Sequence, residues 1–317
     1  MASETKKLLI IDSNSIIHRA YHALPPLTTK RGELVNAVYG FLLVFLKALK
    51  DIRPDFIAAT FDTPKPTLRH KKYKEYKAKR PPAPEELYSQ IPKVKEFLKA
   101  FKVLIFEKEG FEADDLIGTI ATLAPRKQVL PKIETIILSG DLDTLQLVNP
   151  QTKIYSLRRG VKDVVLYDEN FVKEKFQGLT PGQVLDFKAL RGDPSDNIPG
   201  VTGVGEKTAI SLLLKFKTLE NIFKEIEEKS EKGKELSPKL RENLLRYKEQ
   251  AFLSKDLARL VIDAPIDFNL EKCSFGEYNE KELTQLFENY DFYSLIKRFP
   301  EIKKEGKKEI GENLKLW

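Results

Sequence analysis

One cysteine, one methionine, one tryptophan and three histidines are spread through 317 residues. The lone Cys273 excludes an internal disulfide, and with His18, His22 and His70 it offers no spacing that would build a zinc finger. The expectation for Cys273 is packing. The N-terminal stretch MASETKKLLIIDSN lacks the architecture of a secretory signal, and no apolar run approaches the roughly 20 residues of a membrane span. A reducing, cytoplasmic compartment with no membrane partner is therefore expected. Much Glu and Lys beside so little Met and Cys is also a composition associated with thermophiles.

What is present in quantity is charge. Lys and Arg number 54 against 47 Asp and Glu, a net charge of +7, so a polyanionic partner is plausible without being demanded. The length can bury a substantial core in one large domain or two smaller ones. Three short apolar runs, KLLIID, DFIAATFD and ETIILSGDLD, end on Asp12, Asp62, and Asp141 with Asp143. Each reads as a buried strand, and KVLIF at 102–106 as a further one. Between them, Leu87, Ile91, Val94, Leu98 and Phe101 share one helical face, and 33–50 is a longer apolar helical segment. This alternation predicts an α/β fold with a mostly parallel central sheet flanked by helices. Beyond about residue 180 it gives way to helical segments at 181–191, 206–216, 236–255 and 281–298. The expected units are an α/β domain over 1–178, a helical region over 179–298 and a charged tail over 299–317.

Parallel strands leave their C-terminal ends on one edge, where ligands bind. Asp12, Asp62, Asp141 and Asp143 all fall there, and the segment FEADDLIG carries Glu112, Asp114 and Asp115 toward the same edge. RGDPSDNIPG adds Asp193 and Asp196, three residues apart. Any one of these acids could be a helix cap or a first-turn charge. Nine of them in a basic chain are a candidate oxygen-ligand set for hard divalent cations such as Mg²⁺ or Mn²⁺.

Two further stretches point to nucleic acid. Between Lys65 and Arg80, KPTLRHKKYKEYKAKR holds eight Lys or Arg, including Arg69 and Lys72, against the single acid Glu75, with Tyr73 and Tyr76 interleaved. Such a run can track phosphates while its aromatics stack on bases, or it can be a solvated basic helix. Starting just after Asp62, it could form a basic arch over about 63–85. In PGVTGVGEKTAISLL, Gly200, Gly203 and Gly205 precede a helix start carrying Lys207, the pattern of a helix-hairpin-helix at about 193–216. Its bare backbone and free N–H groups can approach a phosphate.

Taken in order, IDSNSIIHRAYHAL, the Lys65 to Arg80 run, EADDLIGTIA, LSGDLDTLQLV and LRGDPSDNIPGVTGVGEKTA resemble the 5′ nuclease domain of bacterial DNA polymerase I, in the flap endonuclease family, over about 6–298. The resemblance implies a PIN-like fold and an enzyme that removes 5′ flaps and 5′-terminal nucleotides from branched or nicked duplexes, including RNA primers at RNA–DNA junctions. It implies a first metal group of Asp12, Asp62, Glu112, Asp114 and Asp115 and a second of Asp141, Asp143, Asp193 and Asp196. Lys77 and Arg80 match positions at the scissile phosphate, Lys188 another lysine near the site, and Tyr76 a base-stacking position. K⁺ at the carbonyls of the Val201 to Gly205 turn, a monomeric state and a DNA polymerase as functional partner are further implications. Polymerase I carries further domains that cannot fit after residue 298, so a free-standing nuclease or a separated domain is expected. A catalytically silent DNA-binding protein and a PIN-type ribonuclease are the competing readings.

Overall fold

The computed structural model describes residues 5–126, 132–158 and 163–298. Six strands form one sheet in the order β3-β2-β1-β4-β5-β6: β1 Lys6–Asp12, β2 Phe56–Thr60, β3 Leu104–Phe106, β4 Ile133–Ser139, β5 Thr152–Leu157 and β6 Val164–Tyr167. The first five are parallel and β6 runs antiparallel to β5. The first three strands step outward on one side of β1 and the next on the other, so the order reverses between β1 and β4. A cleft opens at such a reversal.

Alternation along each strand builds two cores. Leu9 and Ile11, Ile57 and Ala59, and Ile136 and Leu138 face one layer with the Asn36–Ile52 and Ile91–Ala100 helices. Leu8 and Ile10, Phe56 and Ala58, and Ile133 and Ile137 face the other, with Ile117, Ile120 and Ala124 of the Ala113–Arg126 helix. Period-two side chains on a sheet covered on both faces require this division.

A third core gathers Phe187, Leu190, Val201, Val204, Leu213, Phe216 and Phe223 among the Pro181–Arg191, Glu206–Phe216 and Leu219–Glu227 helices. Not every residue of the helical region expected over 179–298 packs in this third core. Phe268, Leu270 and Cys273 return to the second sheet core, and Leu283, Phe287 and Leu295 to the first. Cys273 is buried, with its thiol pushed up to about 12 by that burial.

Three other expectations need adjustment. The helix foreseen over 236–255 is two, Pro238–Arg246 and Lys248–Ala258, broken at Tyr247. The one over 281–298 divides into Glu280–Asn289 and Tyr293–Ile296, because Asp291 takes a left-handed φ of 58°. Strands β5 and β6 were not foreseen, although Thr152, Ile154 and Tyr155 carry the β-branched and aromatic signal of a strand. The tail over 299–317 lies outside the described residues.

Candidate active site

Asp12 closes β1 and caps the Ser13–Ala23 helix, its carboxylate accepting from Ser15 N at 3.1 Å and from Ser139 Oγ at 2.5 Å. Asp141 lies just beyond β4 and accepts from Asp143 N at 2.8 Å. Both therefore flank the strand-order reversal. Asp62, past the end of β2, accepts from Ala113 N at 2.7 Å and so anchors the start of the helix bearing Asp114. Together with Glu112 and Asp114 these residues line a cavity of about 740 Å³.

A further part of the lining is one that sequence reasoning missed. Asn14, Ser15, His18, Arg19 and His22, on one face of the first helix, line the same cavity. The signal was available: a helix leaving a sheet edge with polar residues at one-turn spacing carries them over that edge. Arg19 donates to Gly140 O and Arg158 O at 3.3 and 3.2 Å, which fixes its guanidinium at the rim. His18 has its pKa lowered by burial and by the neighbouring His22 and Arg80.

The basic segment lies across the cleft as a strap. Lys77 N donates to Asp196 O at 2.9 Å, Arg80 Nε to Ser195 O at 3.0 Å, and Asn197 Nδ2 to Glu75 O at 2.8 Å. Lys77 holds a left-handed φ of 56°, a conformation that costs a non-glycine residue about 1–2 kcal/mol. That turn delivers its Nζ to Glu112 Oε2 at 2.8 Å. Arg80 pairs with Asp196, and Lys188 bridges Asp143 and Asp193.

Electrostatics separates the acids. Asp12 is raised to about 7, chiefly by burial and also by Asp141 and Asp62 nearby. Asp114 is raised by burial and by Asp12, Asp141 and Asp143, and Asp143 reaches about 7 because burial and Asp141 outweigh Lys188. Asp193 goes the other way, to about 2: burial opposes its charge, but Lys188 and bonds from Ser195 prevail. Among the described residues, no three His, Cys, Asp or Glu side chains are arranged to hold a metal ion as they stand. Lys77 and Lys188 sit against the carboxylates instead. The donor set nevertheless fits a hard divalent cation. It is all oxygen, and the neighbouring carboxylates add to burial in lifting Asp12 and Asp114.

Four expected roles are corrected. Asp115 does not line the cavity; it is buried and paired with Arg69 at 2.6 Å. Arg69, expected on DNA, is accordingly 8% exposed. Tyr76, expected to stack on a base, is 3% exposed and donates its hydroxyl to Glu112 and Asp196 at 3.2 and 3.1 Å. Gly200, expected to meet a phosphate, has its N–H on Ser254 Oγ and its carbonyl on Gln250 Nε2, and a Cβ there would lie 2.2 Å from Gly192 N. Gly203, Gly205 and Lys207 remain exposed, as does Lys72, ion-paired with Asp256 at 2.5 Å. In the hairpin turn, the carbonyls of Val201 and Thr202 already accept from Val204 N and Asn243 Nδ2.

A family model for the 5′-3′ exonuclease N-terminal resolvase-like domain matches residues 7–177, and one for the 5′-3′ exonuclease C-terminal SAM fold matches 179–281. The chain belongs to the 5′-3′ exonuclease family. It is a nuclease, with the mostly parallel sheet and helical second part of that family. DNA polymerase I of Bacillus subtilis is 41% identical over 307 residues, covering 97% of this chain and 34% of the polymerase. That of Caldicellulosiruptor bescii is 43% identical over 296, covering 92% and 33%. The chain thus spans about a third of the length of the curated relatives it matches. The fold is also that of the T5 D15 protein co-crystallised with metal ions, with a TM-score of 0.63, 19% identity and coverage of 94% and 99%. The catalytic core of Rad2 in complex with DNA substrate gives 0.57, 17%, and 95% and 93%. No helix among the described residues is long and apolar enough to cross a membrane.

Proposed function

We propose that this 5′-3′ exonuclease is structure-specific, hydrolysing phosphodiester bonds at 5′ flaps and 5′ ends of DNA, with removal of RNA primers, in replication and repair. The observation that carries the reading is the cleft at the strand-order reversal, one cavity lined by five carboxylates, by His18, Arg19 and His22, and by Lys77 and Arg80. A phosphodiester needs negative ligands for its cations and positive groups for its own charge, and the cleft has both.

Asp12, Asp62, Glu112 and Asp114 would hold one Mg²⁺ or Mn²⁺, and Asp141, Asp143, Asp193 and Asp196 the other. When bound, the pair supplies an activated water and a stabilised leaving oxygen. Lys77 and Arg80 move from their carboxylate partners to the scissile phosphate and neutralise charge that grows during the reaction. The helix start at Gly205 and Lys207 holds the duplex backbone. A K⁺ ion at the hairpin turn, a monomeric state and action beside a DNA polymerase belong to the same proposal.

The test compares cleavage of a 5′-flap DNA and an unstructured RNA with Mg²⁺ and with excess chelator. Flap cleavage that needs the metal is expected. Preference for the RNA would favour a PIN-type ribonuclease, and tight flap binding without cleavage would favour a silent DNA-binding protein.

A further inference from the structure

Arg69 spends its guanidinium inside the protein. Nη1 and Nη2 donate to Asp115 Oδ2 and Oδ1 at 2.8 and 2.6 Å, while Nε donates to Leu257 O at 2.9 Å and Nη2 also to Arg259 O at 2.7 Å. The paired carboxylate is equally occupied. Asp115 Oδ2 accepts from Glu112 N at 3.0 Å and Oδ1 from Val261 N at 2.9 Å. A planar fork facing the Asp115 carboxylate, with main-chain carbonyls as its other hydrogen-bond partners and Glu112 Oε2 3.6 Å from Nη1, fixes orientation as well as distance.

These contacts join three segments: the strap, the start of the Ala113–Arg126 helix, and the 257–261 stretch around the end of the Lys248–Ala258 helix. That last helix also holds the hairpin. Gln250 Nε2 donates to Gly200 O at 2.6 Å and Ser254 Oγ accepts from Gly200 N at 3.0 Å. A continuous path therefore runs from Gly200 through the Lys248–Ala258 helix to Arg69, Asp115 and the backbone of Glu112.

We propose that Arg69 and Asp115 are positioning residues, a buried pair that sets the Glu112 and Asp114 carboxylates in register with the hairpin that holds the duplex. They are then neither a DNA contact nor a metal ligand. The inference rests on the nuclease reading above. Because a small misplacement at the reacting phosphate is costly while the duplex surface is untouched, the pair acts on the chemical step.

The experiment uses Arg69→Lys, Arg69→Gln, Asp115→Asn and the double variant Arg69→Gln/Asp115→Asn in the full chain. Four quantities are read: metal-free melting, Mn²⁺ stoichiometry by electron paramagnetic resonance, flap Kd in Ca²⁺, and saturated single-turnover rate. Each single variant should slow the saturated rate roughly ten- to a hundredfold, the scale of misplaced reacting groups. Kd and the number of bound Mn²⁺ should stay as in wild type, and the double variant should be no slower than the worse single one. Arg69→Lys keeps the charge without the fork, so its slow rate separates positioning from charge. A bound Mn²⁺ lost in Asp115→Asn but kept in Arg69→Gln would overturn the proposal, as would a weakened Kd with a normal saturated rate in Arg69→Gln. If the Gln variants do not fold, Arg69→Lys carries the test alone. If wild type cleaves nothing, the nuclease reading fails by itself, and the pair stands or falls on the Mn²⁺ count and on whether the melting losses of the singles are shared in the double.

Discussion

Asp12 and Asp193 are two aspartates of the same expected ligand set, yet one is raised to about 7 and the other held near 2. Asp12 has hydroxyl and amide partners and acidic neighbours in Asp62, Asp114 and Asp141, and among the described residues it forms no ion pair. Asp193 has Lys188 at 2.8 Å and two bonds from Ser195. Burial opposes the charged form at both and more strongly at the deeper Asp12, and what each carboxylate is given in return widens the difference. Toward the first helix the protein leaves negative charge unmatched, whereas toward the hairpin it supplies its own cations. The unmatched end is where an external cation gains most.

The largest effect should come from removing a cation that serves the chemistry. Lys77→Ala should slow saturated single-turnover flap cleavage on the order of a hundredfold or more, the scale of one preorganised electrostatic donor. Lys65, exposed and paired with Glu109 at 2.7 Å, is the contrast. Lys65→Ala should weaken binding and its salt dependence modestly and spare the saturated rate. Equal saturated rates for Lys77→Ala and wild type would return Lys77 to the general basic surface.

A smaller effect, on stability, tests the raised carboxylates directly. Asp12 and Asp143 keep protons in the folded chain up to about pH 7, whereas the unfolded chain releases them near the ordinary carboxylate pKa of 3.8. Between those values the folded state binds more protons, so metal-free stability should fall as pH rises through this window. Asp193, ionised in both states there, adds no slope; its contribution is lost only as pH drops toward about 2. Saturating Mg²⁺ should raise Tm most at the neutral end, because binding to the folded state offsets the repulsion. Asp141→Asn should reduce both the slope and the Mg²⁺ response. Melting curves that coincide at pH 5 and 7 without metal would show that the carboxylates do not repel.

Much of this was legible from local pattern. Strand runs ending on Asp12, Asp62 and Asp141 place carboxylates at a parallel-sheet edge through connection rules alone, and no side-chain geometry is needed. The partners of Arg69 and Tyr76 were not legible, because a Lys- and Arg-rich run reads the same whether a given member points out or in. What turned Arg69 inward is Asp115 and the carbonyls of Leu257 and Arg259, the latter about 190 residues away in sequence. Gly200 was misassigned for the same reason: its crowding comes from Gly192 and from Ser254 on a later helix. Long-range contacts of this kind leave no periodicity to detect.

The finest comparison lies within the hairpin, where two glycines do different work. Gly200 has a left-handed φ of 63° and backbone packed against Gly192, so Gly200→Ala tests only folding. Gly205 has an ordinary φ of −85°, caps the Glu206–Phe216 helix, and an added Cβ would meet nothing within 4 Å. Gly205→Ala should therefore leave the fold in place, with at most a small loss from a poorer helix cap. A methyl at that point would stand between the helix-start amides and a duplex phosphate. Losing or lengthening one such backbone hydrogen bond is worth about 0.5–1.5 kcal/mol, so Kd for duplex DNA should rise roughly two- to tenfold. The measurement is a binding titration at fixed moderate salt in Ca²⁺, beside a melting curve for the free protein. An unchanged Kd with an unchanged Tm would mean that the duplex does not approach this helix start, and the anion site would have to move toward Gly203 or Lys207.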